Sequence, residues 1–121
     1  MIPHPRVLIV DEQEETRQVL RTVLERRGVQ ILEASRADRG LELARHHHPN
    51  VIVMDVELQS ASTPDVSAGF AAETSEHETS VILLGAVRQG SSRPAGGEVV
   101  SKPYHYGLLI RKIEELLAKA G

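Results

Sequence analysis

The chain has no cysteine, which excludes disulfides, thiol nucleophiles and thiolate metal sites. Its aromatic side chains are Phe70, Tyr104 and Tyr106, with no tryptophan. A stacking platform for bases needs more of them at regular spacing. Basic residues are not in excess either: 14 Lys and Arg against 17 Asp and Glu leave a net charge of −3. That balance argues against a direct grip on nucleic acid through counterion release. No apolar run approaches the ~20 residues that span a bilayer. The opening "MIPHPRVLIVDE" has neither the apolar region nor the small-residue cleavage site of a secretion signal. The expectation is a soluble, cytoplasmic domain bound to neither membrane nor nucleic acid. At 121 residues there is room for one core and not for two, so 1–121 are expected to form a single domain, stand-alone or part of a longer regulator.

Against these absences stand short apolar runs at 7–10, 51–54 and 81–84. They are β-rich and do not alternate, which suits strands covered on both faces in a parallel sheet. "VQILEA" at 29–34 and "EVVS" at 98–101 are weaker strand candidates, nearer an edge. Helical patterns lie between them. Over 14–27, Val19, Leu20, Val23 and Leu24 form one stripe, with Gly28 as the C-terminal stop. Ser35 is expected to cap a helix through Arg45, with Leu41 and Ala44 inward and Asp38 in a weak capping box. Thr63-Pro64-Asp65 opens a third helix whose hold on a core, through Val66 and Phe70, should be modest. Over 106–120, Leu109, Ile113, Leu116, Leu117 and Ala120 share a face. The interval 87–97, "VRQGSSRPAGG", reads as a loop where the alternation calls for a crossover helix.

Strands alternating with helices imply an α/β fold with right-handed crossovers. Ligands of such sheets gather beyond the carboxyl ends of the strands, at the switch point in strand order. "VLIVDE" and "VIVMDVE" place Asp11, Glu12 and Asp55 there. Three carboxylates in one crevice repel one another unless a cation joins them, and hard oxygen donors suit Mg²⁺. Such a site prepares a phosphoryl group for attack by an aspartate, which then carries an acyl phosphate. "VVSKPY" adds a cation at the same edge, Lys102, with a cis bond to Pro103 open to it.

These residues, in "VLIVDEQEETRQVLRTVLERRG", "PNVIVMDVEL" and "VSKP", resemble the receiver domains of two-component response regulators over nearly the whole chain. The resemblance implies a flavodoxin-like, doubly wound five-stranded parallel sheet in order 2-1-3-4-5, the fourth helix shortened or replaced by the 87–97 loop. It implies Asp11 and Glu12 as metal-binding acids, Asp55 as the residue phosphorylated by a histidine kinase, and Lys102 as its lysine. Glu57 falls where a backbone carbonyl helps hold Mg²⁺. The implied partners are a sensor histidine kinase or phosphotransfer protein, a downstream effector protein and a second copy of the chain.

The pattern also departs from the family. The Ser or Thr expected after strand four is Gly85, whose backbone N–H is left as the only donor there, and the coupled aromatic on strand five is Val99. Leu58-Gln59 replaces the usual Met-Pro. The leading expectation is a phosphorelay receiver with weakened switching and no enzymatic role. Its alternative is a pseudo-receiver, a protein-interaction module that works regardless of phosphorylation. "DVE" at 55–57 also loosely resembles the haloacid dehalogenase phosphohydrolases, whose second acid is Asp where this chain has Glu57. The run His46-His47-His48 cannot converge on one ion from consecutive helical positions, which point about 100° apart, and reads as a solvated helix end.

Overall fold

The computed structural model describes residues 4–56, 64–85 and 98–119, with 64–67 described as backbone only. Five strands, β1 (Arg6–Val10), β2 (Gln30–Ala34), β3 (Val51–Asp55), β4 (Ser80–Leu84) and β5 (Glu98–Val100), form one parallel sheet in order β2-β1-β3-β4-β5. This is the flavodoxin-like order expected from the sequence. Among the described residues there are four helices: α1 (Glu14–Arg26), α2 (Ala37–His47), α3 (Pro64–His77) and α4 (Tyr106–Lys119). The 87–97 interval, and with it the expected loss of a crossover helix, lies outside the described residues, as do Glu57, Leu58, Gln59 and Ala120.

The strand alternation of period two sorts the core into two layers. Val7 and Ile9 of β1 and Val51 and Val53 of β3 pack with Leu20 and Leu24 of α1 and Leu109, Ile113 and Leu116 of α4. Leu8, Val10, Ile52 and Met54 face the other way, onto Ala37, Leu41 and Ala44 of α2 and Phe70 of α3. β1, β3 and β4 are covered on both faces, whereas Ile31, Leu32 and Glu33 of β2 and all of β5 are only half-buried, as edge strands should be.

α1 ends as the sequence implies, with Gly28 at φ +84 just beyond it. Val19 and Val23 are half-buried; Thr16, Leu20 and Leu24 are the residues α1 buries. The start of α2 differs from expectation. Arg36, not Ser35, is the N-cap and no side chain caps the helix. Asp38 instead accepts from its neighbour's amide, Arg39 N–H, at 2.9 Å and from Arg36 Nε at 3.2 Å. α2 also runs past Arg45 to His47, with His48 in the left-handed conformation at φ 46. Two glycines set how closely the second layer packs. A Cβ on Gly40 would lie 2.6 Å from Val10 Cγ2, and one on Gly69 would overlap Leu41 Cδ2, so α2 sits tight on β1 and α3 tight on α2. Phe70, 1% exposed, gives α3 a firmer anchor than its composition suggests.

Candidate functional site: an acidic crevice at the carboxyl edge of the sheet

Val10 pairs with Met54 in the β1–β3 register, so Asp11 and Asp55 are the next residues on adjacent strands. By alternation both project to the α1/α4 side, as does the chain leading from Val100 to Lys102. Asp11 is 2% and Asp55 6% exposed, an unusual burial for two carboxylates. Lys102 compensates in part, its Nζ donating to Asp55 Oδ2 at 2.9 Å. The Lys102–Pro103 bond is cis.

The loop after β1 holds Asp11 through a local turn: Gln13 N–H donates to Asp11 Oδ1 at 2.8 Å, and Asp11 N–H donates to Ala34 O at 3.0 Å. Arg17, which the sequence reading did not single out, donates from Nη1 to the Asp11 carbonyl at 2.6 Å and the Glu12 carbonyl at 3.3 Å. Glu33 at the end of β2 pairs with both Arg17 and Arg21, one turn apart on α1. That Arg-Glu-Arg arrangement fixes the acidic loop to its neighbouring strand, and its trace in the sequence is the spacing of four between Arg17 and Arg21. Glu12 itself is exposed at the rim of the crevice.

Burial pushes the Asp11 carboxyl above its ordinary value, with the charge of Asp55 adding to the shift. The Gln13 amide opposes it most, followed by Lys102 and Arg17. Tyr104, also missed from sequence, stands close enough to Asp11 to feel its charge, and burial raises its hydroxyl. It therefore stays a neutral phenol at the wall of the crevice. Two buried, mutually repelling carboxylates beside the Lys102 ammonium offer hard oxygen donors that fit a divalent ion such as Mg²⁺.

Gly85 directly follows β4 at the same edge, and Val99 is the middle residue of β5, paired with Leu83. Gly85 has φ 116, a conformation that side-chain-bearing residues avoid, and its N–H donates to Val100 O at 2.9 Å. The donor that the sequence left for a phosphoryl group is thus engaged by β5. Val99 is half-buried and packs against the α2/α3 layer.

Known proteins share this fold. The family model for the response regulator receiver domain matches residues 7–114. The polar-differentiation response regulator DivK of Brucella ovis is 28% identical over 119 residues, covering 94% of this chain and 97% of that protein. The transcriptional regulatory protein YxdJ of Bacillus subtilis is 23% identical over 121 residues and 95% of this chain, which spans about half (51%) of YxdJ. A CheY-like receiver domain structure from Methanospirillum hungatei superposes with a TM-score of 0.77 at 18% identity, covering 96% of both chains. The chain belongs to the response regulator receiver domain family of two-component signalling.

Proposed function

We propose that Asp55 accepts a phosphoryl group from the phosphohistidine of a sensor histidine kinase or phosphotransfer protein, and that the usual conformational readout is weakened. The observation that carries this reading is the Lys102–Asp55 pair at 2.9 Å, its carboxylate buried beside Asp11 at the end of the sheet where receivers react. An Asp55 carboxylate oxygen forms the new O–P bond as the P–N bond of the donor breaks, and the electron pair departs to the imidazole. Lys102 holds the carboxylate in place beforehand, and its ammonium pairs with the phosphoryl oxygens afterwards.

Asp11, Glu12 and Asp55, with the Glu57 carbonyl, are the residues that would hold Mg²⁺. When bound, the ion neutralises charge on the phosphoryl oxygens. Asp11 and the Gln13 amide that orients it supply the buried half of this set. Output then passes to a downstream effector protein or to a second copy of the chain.

One observation favours the second reading, a pseudo-receiver that binds partners regardless of phosphate. At φ 116 position 85 excludes the hydroxyl residue of the family by its backbone and not only by its side chain. Intact mass after incubation with acetyl phosphate and Mg²⁺ separates the two. A phosphoryl adduct in the wild type that is absent from Asp55→Ala supports the receiver. A folded wild type without an adduct supports the pseudo-receiver.

A further inference from the structure

At the opposite edge of the sheet, the end of α2 and the last turns of α3 bring together three side chains that the phosphoryl site does not use. We propose that His48, Glu73 and His77 form a binding site for a transition-metal cation of the Zn²⁺ class. One ligand atom from each lies within 4.8 Å of the others. Glu73 and His77 are one turn apart on α3 and so share a face. His48 reaches them from the end of α2, where its left-handed backbone ends the helix.

The group that asks for an ion is Glu73. Its side chain is 9% exposed, and Oε2 is buried with no hydrogen-bond partner among the described residues. That oxygen lies 3.6 Å from His48 Nδ1 and 3.9 Å from His77 Nε2, facing both imidazoles but beyond hydrogen-bond reach of either. The two rings are 4.3 Å apart between centroids. One divalent ion between the three would compensate the buried carboxylate and accept a nitrogen lone pair from each ring. Bonds of ~2.0–2.2 Å at tetrahedral angles separate ligand atoms by ~3.3–3.5 Å, so the carboxylate–imidazole distances need to close by only a few tenths of an ångström.

Two imidazoles and a carboxylate select a borderline metal over Mg²⁺ or Ca²⁺, and three protein ligands leave a fourth position for water or a partner's side chain. Both histidines are partly exposed, which gives an ion its way in. The frame is rigid. Thr79 Oγ1 donates to Pro49 O at 3.0 Å and Ser80 N–H to Asn50 O at 3.0 Å, tying together the loops that enter β3 and β4. Gly69 permits the close approach of α2 and α3 that brings His48 within range. The site stands one strand length, ~15 Å, from Asp55, so both can be filled at once.

The test is calorimetric titration of the whole chain with ZnCl₂, in a non-coordinating buffer with excess Mg²⁺ to occupy the acidic crevice. One Zn²⁺ per chain is expected. His77→Gln, Glu73→Gln and His48→Asn (asparagine tolerates the left-handed backbone) should each weaken binding by at least about tenfold, the loss that even an outer partner of a ligand produces. His46→Gln and His47→Gln should leave it intact. Imidazole NMR signals of the wild type give a readout free of folding effects: Zn²⁺ should move those of His48 and His77 and not those of His46 and His47. Absence of saturable binding, binding that persists in the His48→Asn/His77→Gln double variant, or shifts confined to His46 and His47 would overturn the proposal.

Discussion

Asp11→Asn should stabilise the metal-free protein while abolishing most of its response to Mg²⁺. Asn keeps the side-chain oxygen that accepts from Gln13 N–H at 2.8 Å, so the local turn survives. What disappears is a charge at a site 2% exposed, opposed first by burial and then by Asp55. The carboxyl's native pKa lies above its ordinary value of 3.8. The folded state therefore binds this proton more tightly than the unfolded chain. Its contribution to stability falls as pH rises through the interval between the two values, and the cost is complete above the raised one. At neutral pH the neutral isostere removes that cost. Mg²⁺ acts in the other direction: at about 100 times its dissociation constant it adds ~2.7 kcal/mol to the wild type by mass action. For a domain of this size that is a rise in midpoint of roughly 10 °C. Differential scanning calorimetry in EDTA and then in Mg²⁺ reads both effects. The expected pattern is a higher midpoint for Asp11→Asn in EDTA and a much smaller rise on adding Mg²⁺. A lower midpoint in EDTA, or an undiminished Mg²⁺ shift, would refute the reasoning.

Other substitutions probe the remaining parts. Lys102→Ala removes the cation from a half-exposed pair and leaves Asp55 beside Asp11; urea unfolding should show a loss of about 1–2 kcal/mol, between the values for exposed and buried pairs. Gly85→Thr, offered as a repair of the switch, should instead cost about 1–3 kcal/mol because threonine is strained at φ 116, and a denaturant midpoint equal to wild type would show that the backbone at position 85 does not impose this strain. Thr79→Val deletes the buried bond to Pro49 O without changing shape, which should lower stability by about 1 kcal/mol in the same assay. Gly40→Ala gains helix propensity but sets a methyl 2.6 Å from the stiff, fully buried Val10; thermal unfolding should show a net loss of about 1 kcal/mol.

The sheet was legible because its central strands are written as unbroken apolar runs, and burial of β1, β3 and β4 on both faces leaves no room for another pattern. The places of Asp11 and Asp55 were legible for the complementary reason: a charged residue at the end of a fully buried strand has to go where sites are built, whereas Lys102 was placed by following the half-buried last strand at the same edge. The α2 start was not, since Ser35 is as good a cap by type as any residue, and only the backbone decides that Arg36 occupies the position. Arg17 and Tyr104 were hidden because their roles depend on contacts to a backbone carbonyl and a buried charge that local sequence does not encode. The histidine run is the solvated helix end that its sequence implies, and yet one member has a contact that the run does not announce. Its members do diverge as helical geometry requires, but His48 leaves the helix and meets Glu73 and His77, 25 and 29 positions further on. Only the close packing of α2 against α3 at Gly69 reveals that pairing.

The central claim is that the chemistry of Asp55 is kept while its coupling to β4 and β5 is loosened. Backbone amide NMR spectra before and after acetyl phosphate treatment in Mg²⁺ test it most directly, with Asp55→Ala as control. The account predicts phosphorylation-dependent shifts at Asp11, Val56 and Lys102, with Gly85, Val99 and α4 nearly unmoved. Shifts that spread through Val99 into α4 would contradict the loosened coupling, and a spectrum identical to that of the untreated protein would contradict the chemistry.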